Sequence, residues 1–314
     1  MTPVIYALLP IFALIGLGLW LRKSGLAPEE HWVSVEQFSY WLLFPSLLIT
    51  TLAKADVPAG EAGAMALVLV VMMSIMTIGA LLLRGPMARR WGVGDAAFTS
   101  VFQGSVRWHG FIALAVALNL YGEVGVALVA VALAALAPLA NGVAVAVLAR
   151  YGAAEAEASV GRTLKMIAQN PLIWGCIIGV TLNFTGLKIW EPLETLLDLL
   201  GRSALGIGML AIGAALRIRA AREAGAAALL TMVLKLIVAP AFCLCIGLVV
   251  GLSGTTLVVA VICSSVPSAM NGFLLARKMG GDAPLYAAAV TLQTGAALIT
   301  MPVWIAIAQA LGGA

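Results

Sequence analysis

Ten apolar stretches, most of them near the length of a membrane-crossing helix, follow one another through this chain with only short loops between them. A helix needs about 20 such residues to cross the hydrocarbon core of a bilayer. The stretches run near 4–22, 34–53, 63–83, 96–120, 124–149, 170–187, 194–216, 224–251, 254–279 and 284–311. Charged residues make up only 10% of the 314 residues, against 62% hydrophobic ones. A soluble domain carries about 25% charged residues, so these could not wet a globule of this size. Lipid is the solvent this composition requires. The chain is therefore read as an all-α polytopic membrane protein with ten transmembrane helices.

The basic residues supply an internal test of that count. Odd-numbered loops hold Arg22, Lys23; Arg84, Arg89, Arg90; Arg150, Arg162, Lys165; Arg217, Arg219, Arg222; and Arg277, Lys278, which is 13 of the 18. Even-numbered loops hold Lys54 and Lys188, and Arg107, Arg202 and Lys235 remain within spans. Cytoplasmic loops carry the excess of Lys and Arg, so the odd loops are expected inside and both termini outside. Arg22 and Lys23 follow the first apolar stretch, the layout of a retained span and not of a cleaved signal peptide. A net charge of +4 gives no reason to expect a nucleic-acid partner.

The longest loop, near 150–169, divides the chain into a first five-helix unit (1–150), a cytoplasmic linker (151–169) and a second five-helix unit (170–314). Five is odd, so a duplicated unit would lie upside down relative to its copy. Traces of duplication are present. Placing Pro10 on Pro171 pairs Gly18 with Gly179, Leu21 with Leu182, Gly25 with Gly186 and Leu26 with Leu187. Farther on, His109-Gly110-Phe111 matches Asn271-Gly272-Phe273. Two inverted five-helix repeats are the expected architecture.

In repeat-built carriers the binding site lies near the midplane, where broken helices expose backbone groups. Span nine has such a break in Ser264-Ser265-Val266-Pro267-Ser268-Ala269-Met270-Asn271-Gly272, because proline removes a donor and glycine loosens the chain. Span four is its counterpart, Gln103-Gly104-Ser105-Val106-Arg107-Trp108-His109-Gly110. An arginine at a helix centre costs roughly 2.5–3.5 kcal/mol, so Arg107 either faces a cavity or partner or snorkels to a membrane face. His109 is either a site residue or a hydrogen-bonded packing residue. Lys235, five residues before Pro240, has no carboxylate in its own span. The candidate substrate-binding set is Gln103, Arg107, His109, Ser265, Pro267, Asn271 and Lys235. Asn141, Gln293 and Thr294 are read as helix-to-helix hydrogen bonders. Catalytic motifs and paired intramembrane carboxylates are absent from the sequence, which argues against an enzyme. Cationic intramembrane charges favour an anionic substrate. No cofactor or metal is expected, and coupling to H+ or Na+ is left open.

Several ordered motifs resemble the auxin efflux carrier family. They are Leu9-Pro10 through Gly18, Leu43-Phe44-Pro45-Ser46-Leu47, Gln169-Asn170-Pro171-Leu172-Ile173, Leu210-Ala211-Ile212-Gly213-Ala214 and Val266-Pro267-Ser268-Ala269-Met270-Asn271-Gly272-Phe273. The likeness is to its short bacterial members, without the long central loop of plant carriers. It implies two inverted repeats, each with a scaffold part and a transport part, and helices four and nine broken and crossing at the substrate site. It also implies elevator-like movement, small organic carboxylates as substrates, and a homodimer formed through the scaffold. Where the family usually has asparagine and often proline in its first crossover helix, this chain has His109 and Ala113 or Ala115. A sodium-coupled carrier of bile-acid-like steroids is the neighbouring alternative, and an intramembrane enzyme the remote one.

Overall fold

The computed structural model describes residues 2–55, 58–153, 161 and 168–313. Arg162, Lys165 and most of the 151–169 linker lie outside the described residues. Every regular element among the described residues is helical, as expected where no water is available to satisfy a backbone group and each must find its partner within the helix. In chain order they are α1 (Thr2–Lys23), α2 (Glu29–Phe38), α3 (Phe44–Lys54), α4 (Ala59–Trp91), α5 (Asp95–Val106) and α6 (Gly110–Tyr151). After the linker come α7 (Pro171–Thr185), α8 (Glu191–Ala215), α9 (Ile218–Arg222), α10 (Ala226–Val233), α11 (Ala239–Val250), α12 (Gly254–Ser265), α13 (Asn271–Met279) and α14 (Ala283–Gly312). Helix occupies each of the ten apolar stretches. Six helical segments are long and apolar enough to cross a membrane by themselves, one of them, Asp95–Tyr151, taking in both the fourth and the fifth stretch, and Pro171–Thr185 and Gly254–Ser265 are shorter apolar helices. The chain is thus a multi-pass membrane protein.

Two joints interrupt otherwise continuous helix. A π turn at Ser39–Leu43 links α2 to α3, and another at Leu234–Val238 links α10 to α11. Each is followed within two residues by a proline, Pro45 or Pro240, which cannot donate to the carbonyl four residues back. For Pro240 that carbonyl is Leu236, and the indole of Trp304 donates to it at 2.8 Å. Helix α6 has 42 residues and would extend about 63 Å if straight, twice the hydrocarbon thickness. It is divided at Gly122, whose φ of 58° and ψ of −143° are open essentially to glycine alone.

Helix pairs in lipid gain little from hydrophobicity and depend on close packing at small residues. Here α1 lies against α8 with Gly18 on the backbone of Leu210 and Gly213 on the backbone of Ile15. In the same manner α7 lies on α3, with Gly175 at Pro45 and Gly179 at Leu48 and Leu52. Gly201 of α8 seats against Leu47 of α3. Helices α1, α3, α7 and α8 so form one packed group, while α4, α5, α10, α11, α12 and α14 pack chiefly with one another and with α6. The ring of Phe44 in the first group stacks on that of Phe111 at the start of α6, centroids 3.5 Å apart and planes 6° apart.

Candidate functional site

Between α5 and α6 residues 107–109 leave the helix, and between α12 and α13 residues 266–270 do so. Pro267 explains the second break: its ring forces the preceding residue out of the α region, and Val266 sits at φ −65°, ψ 151°. The first break has no proline, yet Arg107 takes nearly the same conformation, φ −67°, ψ 158°. Its cause lies on the other break. The Ser268 hydroxyl donates to the carbonyls of Gly104 at 2.6 Å and Arg107 at 3.1 Å, which the interrupted α5 leaves without helical donors. Gln293 of α14 locks the pair. Its amide nitrogen donates to the Gly104 carbonyl at 2.9 Å and to that of Thr231 at 3.3 Å, while its oxygen accepts from the Ser268 N–H at 2.9 Å. Tyr286 adds a hydroxyl bond to the Ala269 carbonyl at 2.7 Å.

Arg107 is the residue that draws the site together. It is 6% exposed, and its Nη2 donates to the side-chain oxygens of Asn141 in α6 at 2.9 Å and Asn271 in α13 at 3.2 Å. Its other terminal nitrogen, Nη1, is buried with no partner among the described residues. Among the described residues no carboxylate pairs with Arg107 or Lys235 within 4.0 Å; the ion pairs are Lys54–Glu194, Arg84–Asp95, Arg202–Asp198, Arg217–Glu29 and Arg219–Glu223. Asn271, by contrast, is exposed, so a buried guanidinium and an open amide meet at this point. His109 is buried as the residue preceding α6, its Nδ1 without a partner among the described residues. Gln103 is wholly buried, and neither of its amide atoms has a partner among the described residues.

The other residues singled out in the sequence sit differently. The Ser265 hydroxyl turns back to the Ile262 carbonyl of its own helix at 3.2 Å, and the serine that bridges the two breaks is Ser268. Lys235 emerges from the second π turn, 2% exposed, with its ammonium on the Ser264 carbonyl at 3.1 Å. Arg202 is an exposed partner of Asp198 one turn away. Asn141 and Gln293 bond from helix to helix as expected, whereas the Thr294 hydroxyl turns back to the Val290 carbonyl of its own helix. The bridging role of Ser268 and the stacking of Phe44 have no local signal in the sequence.

A groove of about 640 Å³ lies elsewhere, lined by Trp41, Pro45, Trp174, Ile178 and neighbours on α3 and α7. It includes none of the residues at the two breaks and no charged side chain.

Residues 153–305 match the model of a family described as membrane transport protein. Over 309 residues the chain is 26% identical to an uncharacterized transporter of Methanothermobacter thermautotrophicus, an alignment covering 94% of this chain and 95% of that protein.

Proposed function

This membrane transport protein is one of the auxin efflux carrier family, and from that premise we propose that it is a secondary transporter of small organic carboxylates. The observation that carries the reading is Arg107, a buried guanidinium without a carboxylate partner among the described residues, half of it unbonded, held where two broken helices meet. A planar guanidinium suits a carboxylate through two parallel hydrogen bonds. Asn271 supplies a neutral amide on the exposed side, and His109 and Gln103 supply further groups with unused hydrogen-bonding capacity. No step here makes or breaks a covalent bond.

The proposed architecture is ten crossings in two inverted five-helix repeats. Matched packing supports it. Gly18 brings α1, span one, onto span seven, and Gly179, its sequence partner, brings span six onto span two. Likewise Gly110 after the first break abuts Leu133 in span five, and Gly272 after the second abuts Tyr286 in span ten. Each contact has its counterpart in the other half. The two packed groups of helices are the natural scaffold and transport parts of an elevator, with Phe44 on Phe111 at the surface between them. A homodimer would use the first group.

Counterflow in proteoliposomes tests the function. Labelled mono- or dicarboxylate should accumulate against its unlabelled form, chemically unchanged and without a sodium gradient. Absence of exchange for every small carboxylate tried would sink the substrate class, and strict sodium dependence with a steroid substrate would favour the bile-acid-like alternative. Orientation is tested separately. With both termini in the periplasm of an inner membrane, a reporter fused after Ala314 should read as periplasmic and one inserted near Glu155 as cytoplasmic; a cytoplasmic C-terminus would remove one crossing from the scheme.

A further inference from the structure

We propose that the ammonium of Lys235 is a tethered cation, filling at the broken end of α12 the place that a small coupling cation would otherwise occupy. The proposal deepens the transporter reading, because it concerns the same pair of broken helices, but it stands on different groups from Arg107.

Helix α12 ends at Ser265 in the protein interior, with Ser264, Ser265 and Val266 all fully buried. The last carbonyls of a helix lack donors, and together they present about half an elementary negative charge. At an ordinary helix end water would meet both needs. Here the Val266 N–H reaches Ile262, and the Ser268 N–H, the regular helical partner of the Ser264 carbonyl, is taken by Gln293. That carbonyl instead receives the Lys235 ammonium at 3.1 Å. Unwound carbonyls and the C-terminal ends of half-helices are the groups with which broken-helix carriers hold sodium. Lysine brings the same single positive charge on a covalent stem.

The local backbone is built to deliver it. Lys235 lies in the π turn Leu234–Val238, which displaces the side chains that follow relative to a regular helix. The Thr231 carbonyl just before this turn and the Leu236 carbonyl that Pro240 leaves without its donor are each met from α14, Thr231 by Gln293 and Leu236 by Trp304. A merely structural contact at this place would not require a charge. A buried ammonium lacking a counter-ion is costly, and a well-packed apolar side chain of similar volume is commonly as stable or more so. The ionisable side chains near it are the thiols of Cys243 and Cys263, and among the described residues no carboxylate pairs with it. Its charge answers the helix end.

The test is the melting temperature of purified Lys235→Ala in choline, sodium and ethylammonium chloride at equal ionic strength, without substrate. In choline the variant should melt well below the wild type. Sodium or ethylammonium should restore several degrees in a saturable manner, while the wild type melts alike in all three salts. If alanine prevents folding, Lys235→Gln keeps a donor for Ser264 but no charge, and the same response to small cations is expected of it. Equal melting of the variant in all three salts, or a wild type stabilised by sodium specifically, would overturn the proposal. Because no substrate is present, failure of the carboxylate reading would leave this outcome untouched.

Discussion

Exchange of Arg107 for glutamine is expected to weaken the binding of a small carboxylate by roughly 10- to 100-fold. Hydrogen bonds to a charged group contribute about 1.5–3 kcal/mol, and each 1.4 kcal/mol is a factor of about ten in affinity. Arg107→Lys keeps the charge but loses the planar fork, so its affinity should fall between the two. Glutamine is long enough to keep one bond toward Asn141 or Asn271, which separates loss of the anion partner from loss of the crossover itself. Ligand-dependent melting shifts and uptake KM in reconstituted vesicles both read the effect. Affinity unchanged in Arg107→Gln would mean that the guanidinium only ties Asn141 to Asn271, and the case for an anionic substrate would lose its main support.

That tie could not have been read from the sequence, although each residue in it could. The apolar stretches are legible because lipid tolerates few charges, and the second break because Pro267 dictates the geometry of Val266. The first break is different. Arg107, Trp108 and His109 contain nothing that forbids a helix, and the hydroxyl that accepts the duty of the missing donors sits on Ser268, 161 positions away. Which polar residue meets which freed carbonyl is decided by helix packing, and one sequence does not encode that as a local pattern. The same limit applies to Ser265, one of the serines placed to meet carbonyls freed at the break, whose hydroxyl instead bonds the Ile262 carbonyl of its own helix. It applies also to Lys235, whose burial was legible from its apolar surroundings while its partner, the end of another half-helix, was not. Two close glycine contacts, Gly18 on Leu210 and Gly179 on Leu52, did have a sequence trace, because the two residues fall on each other when the halves are aligned.

Gln293→Leu is expected to do more damage to the fold than any substitution at Arg107, even though Gln293 has no charge. Its side chain is fully buried and serves three backbone groups from two different broken segments and the π-turn helix. The Gly104 carbonyl would keep the Ser268 hydroxyl at 2.6 Å and the Thr231 carbonyl the Leu234 N–H, but the Ser268 N–H would lose its partner in the interior. One orphaned buried group costs about 1–3 kcal/mol and each of the two other bonds lost about 0.5–1.5 kcal/mol, so the loss is about 2–6 kcal/mol. Proteins hold only about 5–15 kcal/mol in reserve. The loss should appear as a large fall in melting temperature together with loss of uptake. Gln293→Glu separates the two halves of the role. An ionised carboxylate can still accept from Ser268 but cannot donate to Gly104 or Thr231, so this variant should be intermediate in stability and gain where the pH allows the side chain to protonate and regain a donor. Wild-type melting in the leucine variant would show that the two broken helices are held in register by packing alone, and that the Gln293 bonds are a consequence of that register and not its cause.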